Sequence, residues 1–225
     1  MAQFINLERR TNVDEIFDKL YSDIVTLKLM PGTKISEAEI ASQFSVSRQP
    51  VRDAFARLGN MDLLLIRPQK ATVVRKFSAN GIAHARFIRT AIEVEVLRNA
   101  IVKWPETDTT RIRDIMDEQA KAIPTKDTNR FHELDLEFHN ALCVAAGFET
   151  AFEIISEMKT RVDRLGRLSL EQPTEMNVLL ADHRRIIAAL DDNDTAALDH
   201  AIRKHLGRLD AFIGRIQQEH SEYFE

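Results

Sequence analysis

Cysteine is nearly absent. Cys143 stands alone among 225 residues, which leaves no intrachain disulfide and no thiolate metal cluster. Its neighbours Ala141, Leu142, Val144 and Ala145 mark it as a buried structural thiol. No apolar run reaches the length of a membrane span, and the opening MAQFINLERR lacks the apolar stretch of a signal peptide. The expectation is a cytoplasmic protein with no membrane partner. Seven glycines and six prolines favour helices over many tight turns. There is no internal repeat and no low-complexity segment. With 44% hydrophobic and 29% charged residues, the chain has the apolar content of a globular protein, and its length suits two small domains or one large one. A net charge of −4 counts at first against nucleic acid, but the charge is uneven. Residues 1–76 carry 12 Lys and Arg against 9 Asp and Glu; the rest carries 19 against 26. A basic front on an acidic body fits a small nucleic-acid reader joined to a domain with another task.

Within the basic part, SEAEIASQFSVSRQPVRDAFAR (residues 36–57) reads as two short helices around a tight turn. Ser36 and Glu39 have the spacing of a capping box, and Ile40, Ala41 and Phe44 form the first apolar face. Ser45-Val46 makes the turn. Ser47 is placed to cap the second helix, with Pro50 in its first turn, where a missing N–H costs little. Val51, Phe55 and Leu58 face a core at i, i+4, i+7. Ser47, Arg48, Gln49 and Arg52 remain outside near the N-terminus, where a helix-turn-helix meets the major groove. A surface helix with two solvated arginines has the same pattern, so the flanking segments matter.

Those segments supply the missing parts. A helix is expected over Val13–Leu29, stopped by Met30-Pro31-Gly32. Gly59-Asn60 is the expected cap of the recognition helix. Strands Leu63–Arg67 and Thr72–Lys76 follow, with Pro68-Gln69-Lys70-Ala71 as hairpin tip and Lys70 placed for phosphate or the minor groove. Arg9 and Arg10 lie in a loose arm. Three helices and a two-stranded wing make a winged helix-turn-helix over 1–76. From Phe77 onward the period is helical throughout. Six helices are expected at Ala79–Lys103, Asp108–Ile123, Thr128–Ala146, Glu149–Leu170, Thr174–Asp191 and Thr195–Gln218, packed as an antiparallel bundle over 77–225. The fold class is mainly α.

Two polar features mark the bundle. Asp135 and His139 share one helix face at i, i+4, and His183 and His205 lie on two later helices. One carboxylate and three imidazoles suit zinc, and also nickel, manganese or iron. Spacing alone equally allows scattered surface and core histidines. The second feature is Arg86, Arg89 and Glu93, beside apolar Phe87, Ile88, Ala91, Ile92 and Leu97. Arg89 with Glu93 is either a surface pair or a clamp for a carboxylate ligand. Arg161, Arg164 and Arg167 recur on another helix, on a solvated face or at a pocket.

PGTKISEAEIASQFSVSRQPVRDAFARL, residues 31–58, resembles the DNA-reading signature of the GntR superfamily, with VSRQPVRDAF at its centre. Asp135-x3-His139, His183, Ala189-Leu190, Asp194, Ala197 and His205-Leu206 resemble the FCD domain of its FadR-like subfamily. The resemblance spans nearly the whole chain. It implies DNA contacts at Ser47, Arg48, Gln49 and Arg52. It also implies a divalent metal on Asp135, His139, His183 and His205, zinc first, and an effector pocket at Arg89 with Glu93. A ligand-responsive repressor follows, as a homodimer on a palindromic operator, sensing a small carboxylic acid. The reading from a different class is a helical metalloenzyme acting on a small acid or ester. Three positions depart from the family pattern. Ser45 and Ala71 stand where glycine is usual, and Phe148 where asparagine is common. A positive φ at Ser45 would cost of order 1 kcal/mol.

Overall fold

Residues 11–68, 70–169 and 173–225 are described in a computed structural model of the chain, without the side chains of 161–163, 166–169, 173 and 209–212. Arg9 and Arg10, Gln69 of the hairpin tip, and the side chains of Arg161 and Arg167 lie outside the described residues. The chain divides into two units, Met1–Lys76 and Phe77–Glu225.

In the first unit, α1 (Asn12–Val25) opens on a reciprocal capping box between Thr11 and Asp14. It ends before the expected Leu29, because Leu27 turns the chain at φ 61°. β1 (Lys34–Ile35) and α2 (Glu37–Phe44) follow, and Ser36 Oγ accepts from the Glu39 N–H at 3.1 Å. Beyond them come α3 (Arg48–Asn60), β2 (Leu64–Leu65) and β3 (Thr72–Val74). The sheet has three strands where two were expected. β3 lies in the middle and pairs antiparallel with β2 on one edge and β1 on the other. β1 satisfies backbone groups that a two-stranded wing would leave open on β3. Gly59-Asn60 is no cap. α3 runs through it to a C-cap at Met61, and Asp62 takes the positive φ, at 62°. Gly59 serves close packing instead, since a Cβ there would sit 3.2 Å from Ile66 Cδ1. α1 packs on α3 through Ile16, Leu20 and Ile24 against Val51, Phe55 and Leu58, all buried. This packing turns the opposite face of α3 outward.

The second unit holds α4 (Ala79–Lys103), α5 (Thr110–Ala122), α6 (Thr128–Ala146), α7 (Ala151–Ser169), α8 (Pro173–Asp191) and α9 (Thr195–Glu219). Ser78, Asp127 and Asp194 cap three of these helices with side-chain acceptors, and Gly147 ends α6 in the left-handed region. α4 runs against α6, α7 and α9; α5 lies on α6 and α8, and α8 on α9. Asp191 ties two corners together by accepting from Trp104 Nε1 at 2.9 Å and from Arg113 Nη2 at 2.8 Å. Phe77 joins the other end, where its N–H donates to Tyr223 O at 2.8 Å and its carbonyl accepts from Glu225 N–H at 3.0 Å. Cys143 is buried, and burial pushes its thiol up to about 12.

Ser45 sits at φ 56°, ψ 42° between α2 and α3, a region where a Cβ costs about 1–2 kcal/mol. Ser45→Gly is therefore expected to stabilise the full chain against urea by about 1 kcal/mol. A loss of stability would show that the hydroxyl holds the turn.

Candidate functional site

Residues from all six helices of the bundle meet at one buried centre. α6 brings Asp135 and His139, α8 brings His183 and α9 brings His205, and all four are buried. Their candidate ligand atoms lie within 4.8 Å of one another. His183 Nε2 is 3.2 Å from Asp135 Oδ1, and His205 Nε2 is 3.3 Å from His139 Nε2. An ion about 2.1 Å from each of four tetrahedral donors sets them about 3.4 Å apart, close to both pairs.

The other three helices aim these donors. Gln119 of α5 places Oε1 2.9 Å from His183 Nδ1, so that nitrogen carries the proton and Nε2 is left as a lone pair. Glu93 of α4 places Oε2 2.6 Å from His139 Nδ1, so a carboxylate backs this ring on the side away from His205. Lys159 of α7 holds Asp135 Oδ2 at 2.6 Å, which turns Oδ1 toward His183. Phe138 stacks on the His183 ring at 4.0 Å between centroids. Asp182, next to His183, accepts from Arg208 Nη2 at 2.8 Å and from Arg208 Nε, pinning α8 to α9.

The electrostatics suit a cation. Burial raises the Asp135 carboxyl, but the Lys159 ammonium beside it outweighs this and holds the group well below the usual range. Burial likewise opposes ionisation of Glu93, and Arg89 and His139 overcome it. The His183 and His205 imidazoles are pushed down, first by burial, and so stay neutral with lone pairs available. Asp135 Oδ1 and His183 Nε2 are buried and carry no hydrogen bond. Two lone pairs facing each other in a dry interior are unfavourable unless a cation lies between them. The residues present therefore fit a divalent metal.

Arg89 and Glu93 are buried beside this centre rather than paired on the surface, with Arg89 Nε donating to Glu93 Oε1 at 2.8 Å. The apolar residues next to them go the other way: Phe87 is 72% exposed. On α4 the interior face is set by Arg89, Glu93, Val96, Leu97 and Ala100 at helical spacing. Arg164 is buried with its guanidinium 5.1 Å from the Phe77 ring centre. The sequence pattern alone does not distinguish Gln119 and Lys159. Their signal was a polar residue on an apolar stripe: Gln119 follows Ile112, Ile115 and Met116, and Lys159 follows Ile155 and Met158.

In the first unit, Ser47, Arg48, Gln49 and Arg52 lie exposed on the outer face of α3. Ser47 is the N-cap residue, but its side chain makes no capping bond, contrary to expectation. Its ψ of 168° sets the entry to α3 without one. Gln49 Nε2 donates to Asp53 Oδ1 at 2.9 Å. Arg52 forms a fork on Glu37 of α2, Nε to Oε1 at 3.2 Å and Nη2 to Oε2 at 2.9 Å. Lys70 is exposed beside β3.

Residues 12–74 match the family of bacterial regulatory proteins called gntR, and residues 85–208 match the FCD domain. The HTH-type transcriptional repressor RspR of Escherichia coli K12 is 36% identical over 210 residues, covering 93% of this chain and 92% of that protein. An HTH-type transcriptional regulator from an unstable DNA locus of Streptomyces ambofaciens is 30% identical over 215 residues, covering 96% and 90%. Two solved structures share the fold. E. coli McbR/YncC has a TM-score of 0.75 at 18% identity, covering 92% of this chain and 99% of that one. A GntR protein from Rhodococcus sp. RHA1 has a TM-score of 0.76 at 20% identity, covering 91% and 99%.

Losing an outer partner of a metal ligand typically costs 10–100-fold in affinity. Gln119→Ala is expected to weaken zinc binding by about 10–100-fold with helical content unchanged, read by equilibrium dialysis and circular dichroism. Unaltered zinc affinity would remove Gln119 from the site.

Proposed function

The chain belongs to the GntR family of bacterial regulatory proteins and carries an FCD domain, and from this we propose that it is a repressor sensing a small organic acid through a bound divalent metal. It is a DNA-binding transcriptional regulator and not an enzyme, in common with the relatives above. The observation that carries the metal part is the pair of buried, unbonded lone-pair donors, Asp135 Oδ1 and His183 Nε2, beside His139 and His205. The repressor reading is supported by the name of the E. coli relative.

In this reading Asp135, His139, His183 and His205 hold the ion, with zinc expected first and nickel, manganese or iron as alternatives. The metal supplies a Lewis-acidic anchor for a carboxylate. Arg89, held by Glu93, presents its guanidinium beside the same centre. Ser47, Arg48, Gln49 and Arg52 read the operator from the major groove, and Lys70 steadies the wing on the backbone. Arg52 serves either by exchanging Glu37 for a base edge or by contacting DNA while Glu37 holds its fork. A homodimer in the cytoplasm sets two recognition helices on a palindromic operator. The acid shifts the balance between DNA-competent and incompetent states through its different affinity for the two.

Arg52→Ala is expected to lower operator affinity by about 5–150-fold, the loss of one good bidentate contact, with fold and metal content intact. Sequence-specific binding at wild-type strength would refute the assignment of Arg52. His183→Ala is expected to abolish stoichiometric metal, measured by elemental analysis of untagged protein, and with it any chelator-sensitive thermal shift by carboxylic acids. Undiminished metal in that variant would rule out the four-residue site.

A further inference from the structure

Lys159 places its amino group inside a centre that is otherwise suited to receive a cation. It is 3% exposed, and its Nζ sits 2.6 Å from Asp135 Oδ2, on the carboxylate oxygen opposite the one that faces His183. Asp135 is balanced by Lys159, and Glu93 by Arg89 at 2.8 Å. A centre holding three imidazoles and one carboxylate would meet a divalent ion with one negative charge to spend on it. Here that carboxylate is already shared with Lys159, so an arriving ion adds its positive charge close to the lysine in a dry interior, where like charges repel strongly.

We propose that Lys159 is the counter-cation of the metal-free centre, that it holds down metal affinity, and that it makes metal uptake depend on an anionic ligand arriving with the metal. The proposal rests on the metal reading above and adds the coupling. The ligand class it selects is a dianion such as a dicarboxylate, which restores neutrality, over a monoanion or a neutral acid amide. Metal alone adds positive charge beside Lys159, and acid alone lacks the two charges of the metal. Each therefore strengthens the other's binding by the same factor, as linkage requires.

The test uses the full metal-free chain, with zinc titrated by competition with a chelator, in the presence or absence of succinate or its mono-charged analogue succinamate. Lys159→Gln keeps a donor for Asp135 Oδ2 and removes only the charge. Without an anion, Lys159→Gln is expected to bind zinc at least about tenfold more tightly than wild type, since a like charge near the ion is gone. In wild type, succinate is expected to tighten zinc by about tenfold more than succinamate does, and in Lys159→Gln this difference shrinks. Lys159→Arg keeps the charge and is expected to follow wild type, which separates charge from any damage to folding. Zinc affinity unchanged or weakened in Lys159→Gln overturns the proposal and leaves Lys159 as a positioning residue alone. An equal effect of succinate and succinamate on wild type also overturns it. Failure of the underlying metal reading looks different: neither wild type nor variant takes up zinc under any condition, and the proposal falls with it.

Discussion

Asp135 Oδ1 and His183 Nε2 face each other at 3.2 Å because Lys159 and Gln119 hold the far atoms of the same two side chains. His139 is constrained in the same way by Glu93. Ligating helices α6, α8 and α9 are backed by α4, α5 and α7, which supply the outer partners. A shift of any one helix along its axis would misalign either a donor or the group that aims it. The centre thus ties the relative positions of all six helices to one set of polar contacts. An ion held by these donors would therefore bear on the whole bundle.

Polar burial of this density is expensive without full pairing. Around the centre the cost is offset by chains: Arg89 to Glu93 to His139, and Lys159 to Asp135. An apolar shell backs them, with Phe131, Leu134 and Phe138 of α6 fully buried and Phe138 stacked on His183. Packing fixes the rings, and the chains fix which nitrogen carries a proton. The reading head uses the opposite strategy. Its polar side chains on α3 are exposed, and its pairs, Arg52 with Glu37 and Gln49 with Asp53, are solvent-accessible. Such pairs contribute little to stability, so breaking them costs little.

Much of this was legible in the sequence. The periodicity of Val51, Phe55 and Leu58 against Arg48 and Arg52 fixes which face of α3 is outward. Period-3.6 patterning and the punctuation at Trp104-Pro105, Pro124-Thr125, Gly147 and Gln172-Pro173 locate the bundle helices to within a few residues. Local chemistry determines such features, because a cap or a stripe is made by residues close in the chain. The short β1 strand is not legible for the opposite reason. Two residues have no period, and Lys34–Ile35 becomes a strand only because β3 offers an open edge.

The sequence by itself determined the helices, the reading face and the four donor types, along with the family that goes with them. Tertiary structure alone decided that Arg89 and Glu93 turn inward while Phe87 turns out, and that Gln119 and Lys159 join the centre. Those outcomes depend on contacts across long separations, 64 residues between His183 and Gln119 and 66 between His205 and His139. No local pattern encodes such meetings. They follow from which helix packs against which, and only there do the distances that set protonation and charge come into being.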